Sequence, residues 1–337
     1  MSSFFRSDRR LFLAMMAALA VAPSACAQEL DRSLWQQYRQ SFIGADGRVM
    51  DTGNEGVSHS EGQGFALLLA LAANDRPSFE SIFNWTEANL VRGDSGLYAW
   101  RYHPAHTPPV SDPNNATDGD ILIAWALLMA SERWKITAYA ERSQSLRAAI
   151  LREVAITHAG KRLLLPGRIG FASEAGVVVN LSYYVWPALD AFARHEPMWN
   201  DIISDGLELL TRSQFGQWQL VPDWTLINAD GVVTPATDKP ARFGFDAVRV
   251  PLYLHWSGRA TELKTFRNYW RETEKASGWP AWIDVTTGET APYPLSGGGQ
   301  AIANQTIGRD MQDRAPSTDY YSESLKLLAK LGKSATS

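Results

Sequence analysis

The run Asn115-Ala116-Thr117-Asp118-Gly119-Asp120-Ile121-Leu122-Ile123-Ala124-Trp125-Ala126-Leu127-Leu128-Met129-Ala130 sets two carboxylates one residue apart at the mouth of a helix that is apolar on every side. A helix without a polar face must be buried, so its N-terminus opens into the interior of a large domain. Acidic side chains at that end gain from the helix dipole and from backbone N–H groups that lack partners. Alone, this is a capping arrangement. It becomes chemistry only where other carboxylates converge on the same place.

Two further segments supply candidates. In Ser58-His59-Ser60-Glu61-Gly62-Gln63-Gly64-Phe65, Ser58 and Glu61 have the spacing of a capping box ahead of an apolar helix. The functional alternative makes Glu61 an acid at a helix start, beside glycines that let a ligand approach closely. Its protonated form would require burial, which raises a carboxyl pKa. In Arg242-Phe243-Gly244-Phe245-Asp246-Ala247-Val248-Arg249-Val250-Pro251, Asp246 and Arg249 stand three apart at a helix start, where their side chains can meet. The bland reading is a surface ion pair of little energetic weight. The surrounding Phe243, Phe245, Val248 and Val250 argue against full exposure, and a guanidinium beside a carboxylate favours the ionised form that a general base needs.

The bulk numbers bound the class. At 337 residues, 45% hydrophobic and 20% charged, the chain has ordinary globular composition. A net charge of −4 leaves no electrostatic footprint for nucleic acid. Thirteen tryptophans suggest flat stacking surfaces as well as core. At the N-terminus, Arg6, Arg9 and Arg10 precede an apolar stretch, 11–22, too short to span a membrane comfortably, and Ala25-Cys26-Ala27 fits a cleavage site. A signal peptide is therefore expected at 1–27, with export to the periplasm or beyond. Arg9-Arg10-Leu11-Phe12-Leu13 resembles a twin-arginine signal, although Asp8 stands where Ser or Thr is usual, so both export routes stay open. Removal of Cys26 would leave the mature chain, 28–337, without a thiol.

Apolar periodicity predicts helices near 31–42, 62–73, 79–90, 120–134, 138–158, 182–192, 198–214, 246–256, 263–276 and 322–331. Only 163–165 and 177–179 read as strands. Long Pro-, Gly- and Asn-rich loops cover 102–115, 228–243 and 284–299. With no dividing linker and no repeat, one all-α domain with function-bearing loops at one end is expected.

Taken together, the segments around Glu61, Asp118 and Asp246 resemble glycoside hydrolase family 8, an inverting family of endo-acting β-1,4-glycanases. The resemblance runs from about Trp35 to Leu331. Asn180-Leu181-Ser182-Tyr183-Tyr184 is similar to the family's Asn-Pro-Ser-Tyr segment, with Leu181 in place of the proline. Within the family, Leu71-Ala72-Ala73-Asn74-Asp75-Arg76-Pro77, Leu164-Leu165-Pro166-Gly167 with Gly170-Phe171, and Pro222-Asp223-Trp224 look closest to the periplasmic cellulases encoded with bacterial cellulose synthases.

The resemblance implies an (α/α)6 barrel with long loops forming a substrate cleft at one end. It implies Glu61 as catalytic acid, Asp246 as catalytic base, Asp118 bonded to the distorted sugar, and Tyr183 helping to hold the water. Arg249 would keep Asp246 charged and oriented. Asp120 is expected to cap or support. Trp100, before a long loop, is the best candidate to stack on a sugar ring; Trp125 and Trp134 read as core. The expected partner is a β-1,4-glucan (cellulose) chain, acted on by a monomer with possible association with cellulose synthase machinery. Xylan, mixed-linkage glucan and chitosan remain open as substrates, as does a non-catalytic helical glycan binder; such a binder would tolerate Asn or Gln at positions 61 and 246, where this chain has carboxylates. No cofactor or metal is expected, since the six histidines lack His-x-x-x-His and His-Glu-x-x-His spacings.

Overall fold

The computed structural model describes residues 29–311 and 315–332. The expected signal peptide, with its arginine pair and Cys26, lies outside the described residues. Among the described residues there are eleven α-helices: α1 Arg32–Phe42, α2 Ser60–Ala72, α3 Arg76–Leu90, α4 Thr117–Trp134, α5 Thr137–Glu153, α6 Trp186–Ala193, α7 Trp199–Arg212, α8 Arg249–Trp256, α9 Lys264–Ser277, α10 Gly297–Ile307 and α11 Tyr320–Gly332.

Two kinds of helix sequence produce two layers. In α2 every residue from Gly62 to Ala72 is buried, and in α4 every residue from Thr117 to Leu128. Such helices can only line the inside. They do so in a closed ring, α2 beside α4, then α6, α8, α10 and α11, which returns to α2. The one-sided helices pack outside it: α1 buries Trp35, Tyr38 and Phe42, and α7 buries Trp199, Ile202, Gly206, Leu209 and Leu210. α3 lies on α2, α5 on α4, α7 on α6, α9 on α10 and α1 on α11. This is the expected (α/α)6 barrel, and one contiguous apolar core runs through it from Leu30 to Ala329.

Glycine sets the closest approach within the ring. A Cβ on Gly64 would stand 2.6 Å from Leu122 Cβ, and one on Gly119 would stand 2.2 Å from Ser60 Oγ. Only hydrogen at these positions lets the N-terminal ends of α2 and α4 touch. The glycines of the Glu61 segment thus admit a neighbouring helix rather than, as expected, a ligand.

The loops carry short antiparallel strands. A four-stranded sheet orders Ala172–Ser173, Gly176–Val179, Thr225–Ile227 and Val233–Pro235. Both expected strands are present, as Lys161–Leu164 and Gly176–Val179. The helix expected over 138–158 instead stops at Glu153. Residues Ala155–His158 turn back as a strand against Lys161–Leu164, where the β-branched Ile156 and Thr157 fit a pleated surface better.

The expected capping box does not form. Ser58 pairs with Tyr102 in a two-residue strand, and α2 begins after His59, whose side chain makes no cap bond. The helix expected from 246 starts at Arg249, so Asp246 sits in the turn that precedes it.

Candidate active site

The glycine contact between α2 and α4 brings Glu61 and Asp118, each the second residue of its helix, to one place. Arg249, the first residue of α8, completes the meeting. Its side chain is 1% exposed, so its pairing with Asp246 is not a surface ion pair. Arg249 Nη1 donates to Glu61 Oε1 and, at 2.8 Å, to Asp118 Oδ2. Nη2 donates to Asp246 Oδ1 at 2.8 Å and to Ser182 Oγ at 2.9 Å. One guanidinium therefore gathers three carboxylates and a hydroxyl from four segments of the chain. Because Glu61 and Asp246 take different nitrogens, two hydrogen bonds and the width of a guanidinium limit the gap between their bonded oxygens to roughly 8 Å.

Exposure separates the roles these groups can play. Asp118 is 2% exposed, Glu61 17% and Asp246 29%. Glu61 and Asp246 can reach a ligand or a water, whereas Asp118 reaches only what enters the site.

Burial dominates the electrostatics. It pushes Glu61 up to about 8 against the pull of Arg249, assisted by the charges of Asp118 and Asp246 and by a hydrogen bond to Asp118 that favours the protonated form. Glu61 is thus held as an acid at neutral pH. Burial also raises Asp246, with Arg249 and Asn180 opposing the rise and Asp118 adding to it. The guanidinium lowers the pKa, but desolvation outweighs it.

Asp120 does not cap α4. Its carboxylate accepts from Tyr98 N–H at 2.9 Å and from Asn115 Nδ2 at 2.8 Å, tying down both ends of the segment from Tyr98 to Asn115. Burial raises it to about 7. The N-terminus of α4 is satisfied from outside, with Thr117 N–H donating to Pro166 O and Thr117 Oγ1 to Leu165 O.

The two adjacent tyrosines divide cleanly. Tyr184 is fully buried and its hydroxyl accepts from Leu164 N–H at 3.0 Å, a structural contact. Tyr183 instead presents its ring to Arg249, 5.6 Å from the guanidinium carbon, and meets Trp224 edge-on. Leu181 is accommodated without proline because the Asn180 side chain accepts from both the N–H and the hydroxyl of Ser182.

Trp100 adjoins the start of α2, since its carbonyl accepts from Ser60 N–H at 3.0 Å. It is half-buried, stacked on His59, and its indole N–H donates to Asp112 at 2.8 Å. Trp125 lies in the core beside Trp256, and Trp134 packs edge-on against Phe79. Among the described residues, no group of His, Cys, Asp and Glu is arranged to hold a metal ion.

Sequence reasoning gave no role to three neighbours of the site. Ser182 receives Arg249, the Tyr321 hydroxyl donates to Phe245 O at 2.7 Å, and Asp223 accepts from three N–H groups around Asp246. Asp223 carried a signal, in Pro222-Asp223-Trp224, but nothing local revealed its partners.

Comparison with known proteins identifies the family. The profile of Glycosyl hydrolases family 8 matches residues 5–335. The endoglucanase of Cellulomonas uda is 41% identical over 303 residues, 89% of this chain and 83% of its own length. The probable endoglucanase of Novacetimonas hansenii is 39% identical over 321 residues, 93% of this chain and 92% of its own. The solved endo-β-1,4-glucanase of Acetobacter xylinum superposes with a TM-score of 0.85 at 37% identity, covering 90% of this chain and 98% of the other.

Proposed function

The chain belongs to family 8 of the glycosyl hydrolases, and from that premise we propose that it is an endo-β-1,4-glucanase that cuts cellulose chains with inversion. What supports an acid–base pair here is the Arg249 hub, which brings Glu61 and Asp246 together on different nitrogens, while the expectation of inversion comes from the likeness to the family. Inverting hydrolysis needs an acid and a base about 6.5–9.5 Å apart, with room for a water between base and sugar.

Asp246 accepts a proton from that water as its oxygen forms a bond to the anomeric carbon. The glycosidic C–O bond breaks at the same time, and Glu61 delivers its proton to the leaving oxygen. Asp118 hydrogen-bonds the distorted sugar, Tyr183 helps to hold the water, and Trp100 supplies a stacking face. Arg249 sets the angle between acid and base. The exposed edges of Glu61 and Asp246 mark the end of the barrel where the long loops would form the cleft.

Residues 1–27 would direct export to the periplasm or outside, leaving 28–337 as one catalytic domain that acts as a monomer. The likeness to cellulases of synthase systems suggests work beside a cellulose synthase. Purified protein assayed on soluble cellulose derivative, xylan, mixed-linkage glucan and chitosan tests the substrate. Preferential release of cello-oligosaccharides supports the reading, and preference for another polymer replaces it.

A further inference from the structure

We infer that Asp223 is the positioning residue of the catalytic base, clamping the turn that carries Asp246 and locking it to the strand unit that carries Ser182 and Tyr183. This inference rests on the glucanase reading for its kinetic arm only.

The clamp has two jaws. The backbone N–H of Asp223 donates to Arg242 O at 2.7 Å, just before the turn. Its Oδ1 accepts from Gly244 N–H at 3.1 Å, Asp246 N–H at 3.2 Å and Ala247 N–H at 2.7 Å, within the turn. These donors lie ahead of α8, where no helical carbonyl is available to them. One carboxylate oxygen thus stands in for the missing turn of helix.

Gly244 is part of the same fit. A Cβ there would stand 2.7 Å from Asp223 Oδ2, so a side chain would push the carboxylate off the turn. Asp223 is also fixed from behind. It precedes the strand Thr225–Ile227, which pairs with Gly176–Val179, and that strand leads into Asn180, Ser182 and Tyr183. Trp224 touches Tyr183 from the same side. Base, Arg249 acceptor and tyrosine are therefore carried on one hydrogen-bonded unit, with Asp223 as the joint to the base. Burial raises Asp223 to about 7, and the charge of Asp246 adds to the rise.

Asp223→Ala and Gly244→Ala test this from opposite sides of one contact. Displacing the base by about 1 Å should lower kcat on the order of 10²-fold, with KM within threefold of wild type for both variants. A merely structural aspartate would lower stability without splitting kcat from KM in this way. Amide hydrogen exchange at residues 244–247 should accelerate in both variants, a readout that does not depend on which glycan is cut. Unchanged exchange overturns the clamp whether or not the protein is a glucanase. So does kcat within twofold of wild type. A wild-type protein that leaves every cellulose derivative intact defeats the substrate reading alone, and exchange then decides the clamp.

Discussion

Arg249 Nη2 lies 2.8 Å from Asp246 Oδ1, and its other terminal nitrogen is shared by Asp118 and Glu61. Glu61 and Asp246, the proposed acid and base, are thereby placed by one side chain rather than by two independent loops. Glu61→Gln and Asp246→Asn each keep the shape of the site and remove its proton transfer. Each should lower turnover by roughly 10²–10⁴-fold, with circular dichroism unchanged. A variant that retains a tenth of wild-type activity would exclude its residue from the role assigned here.

Arg249 should matter to folding as much as to catalysis. Its removal strands three buried or half-buried carboxylates without their common partner. Arg249→Met should cost about 3–5 kcal/mol in urea unfolding. Arg249→Lys keeps the charge but cannot reach both sides of the hub, so it should fold better than Arg249→Met and remain almost inactive. Wild-type activity in the lysine variant would show that the fork geometry is dispensable.

Tyr183 and Tyr184 should separate activity from stability. Tyr184→Phe leaves the buried Leu164 N–H without its acceptor and should cost about 1–3 kcal/mol with catalysis nearly intact. Tyr183→Phe should do the reverse, lowering kcat with little change in melting temperature. The opposite pattern would exchange their roles.

The pH dependence follows from the raised carboxyls. Glu61 moves from 4.5 to about 8 on folding, and Asp120 and Asp223 from 3.8 to about 7. For each, the native state binds its proton more tightly than the unfolded chain. The stabilising contribution is therefore complete below the unfolded value and is lost as pH rises through the folded one. Melting temperature should fall between about pH 5 and pH 8, and Glu61→Gln should flatten that fall. In kcat/KM the basic limb should lie near pH 8, set by Glu61. The acid limb should lie above the ordinary aspartate range, set by Asp246. A melting temperature that rises across this window would contradict the assignment.

Much of the barrel was legible because the inner helices have no polar face. α2 and α4 announce their own burial, and the acidic residues at their starts announce a buried cavity. What was not legible depends on contacts between distant segments. Nothing near Gly119 shows that Ser60 will press against it, and nothing near Asp223 shows that it will fold onto a turn twenty-odd residues downstream. The same limit explains the false capping box. Ser58 and Glu61 have the right spacing, but pairing of Ser58 with Tyr102 diverts the backbone into a strand. Helix 138–158 overran because apolar periodicity continues past Glu153 into a hairpin that only its partner strand defines.

The most direct test of the central claim is to follow, by proton NMR, the anomer first released from a soluble cello-oligosaccharide. Inversion between Glu61 and Asp246 predicts that the α-anomer accumulates first and then mutarotates. Initial release of the β-anomer would mean that no water stands between base and sugar, and the mechanism proposed here would be wrong.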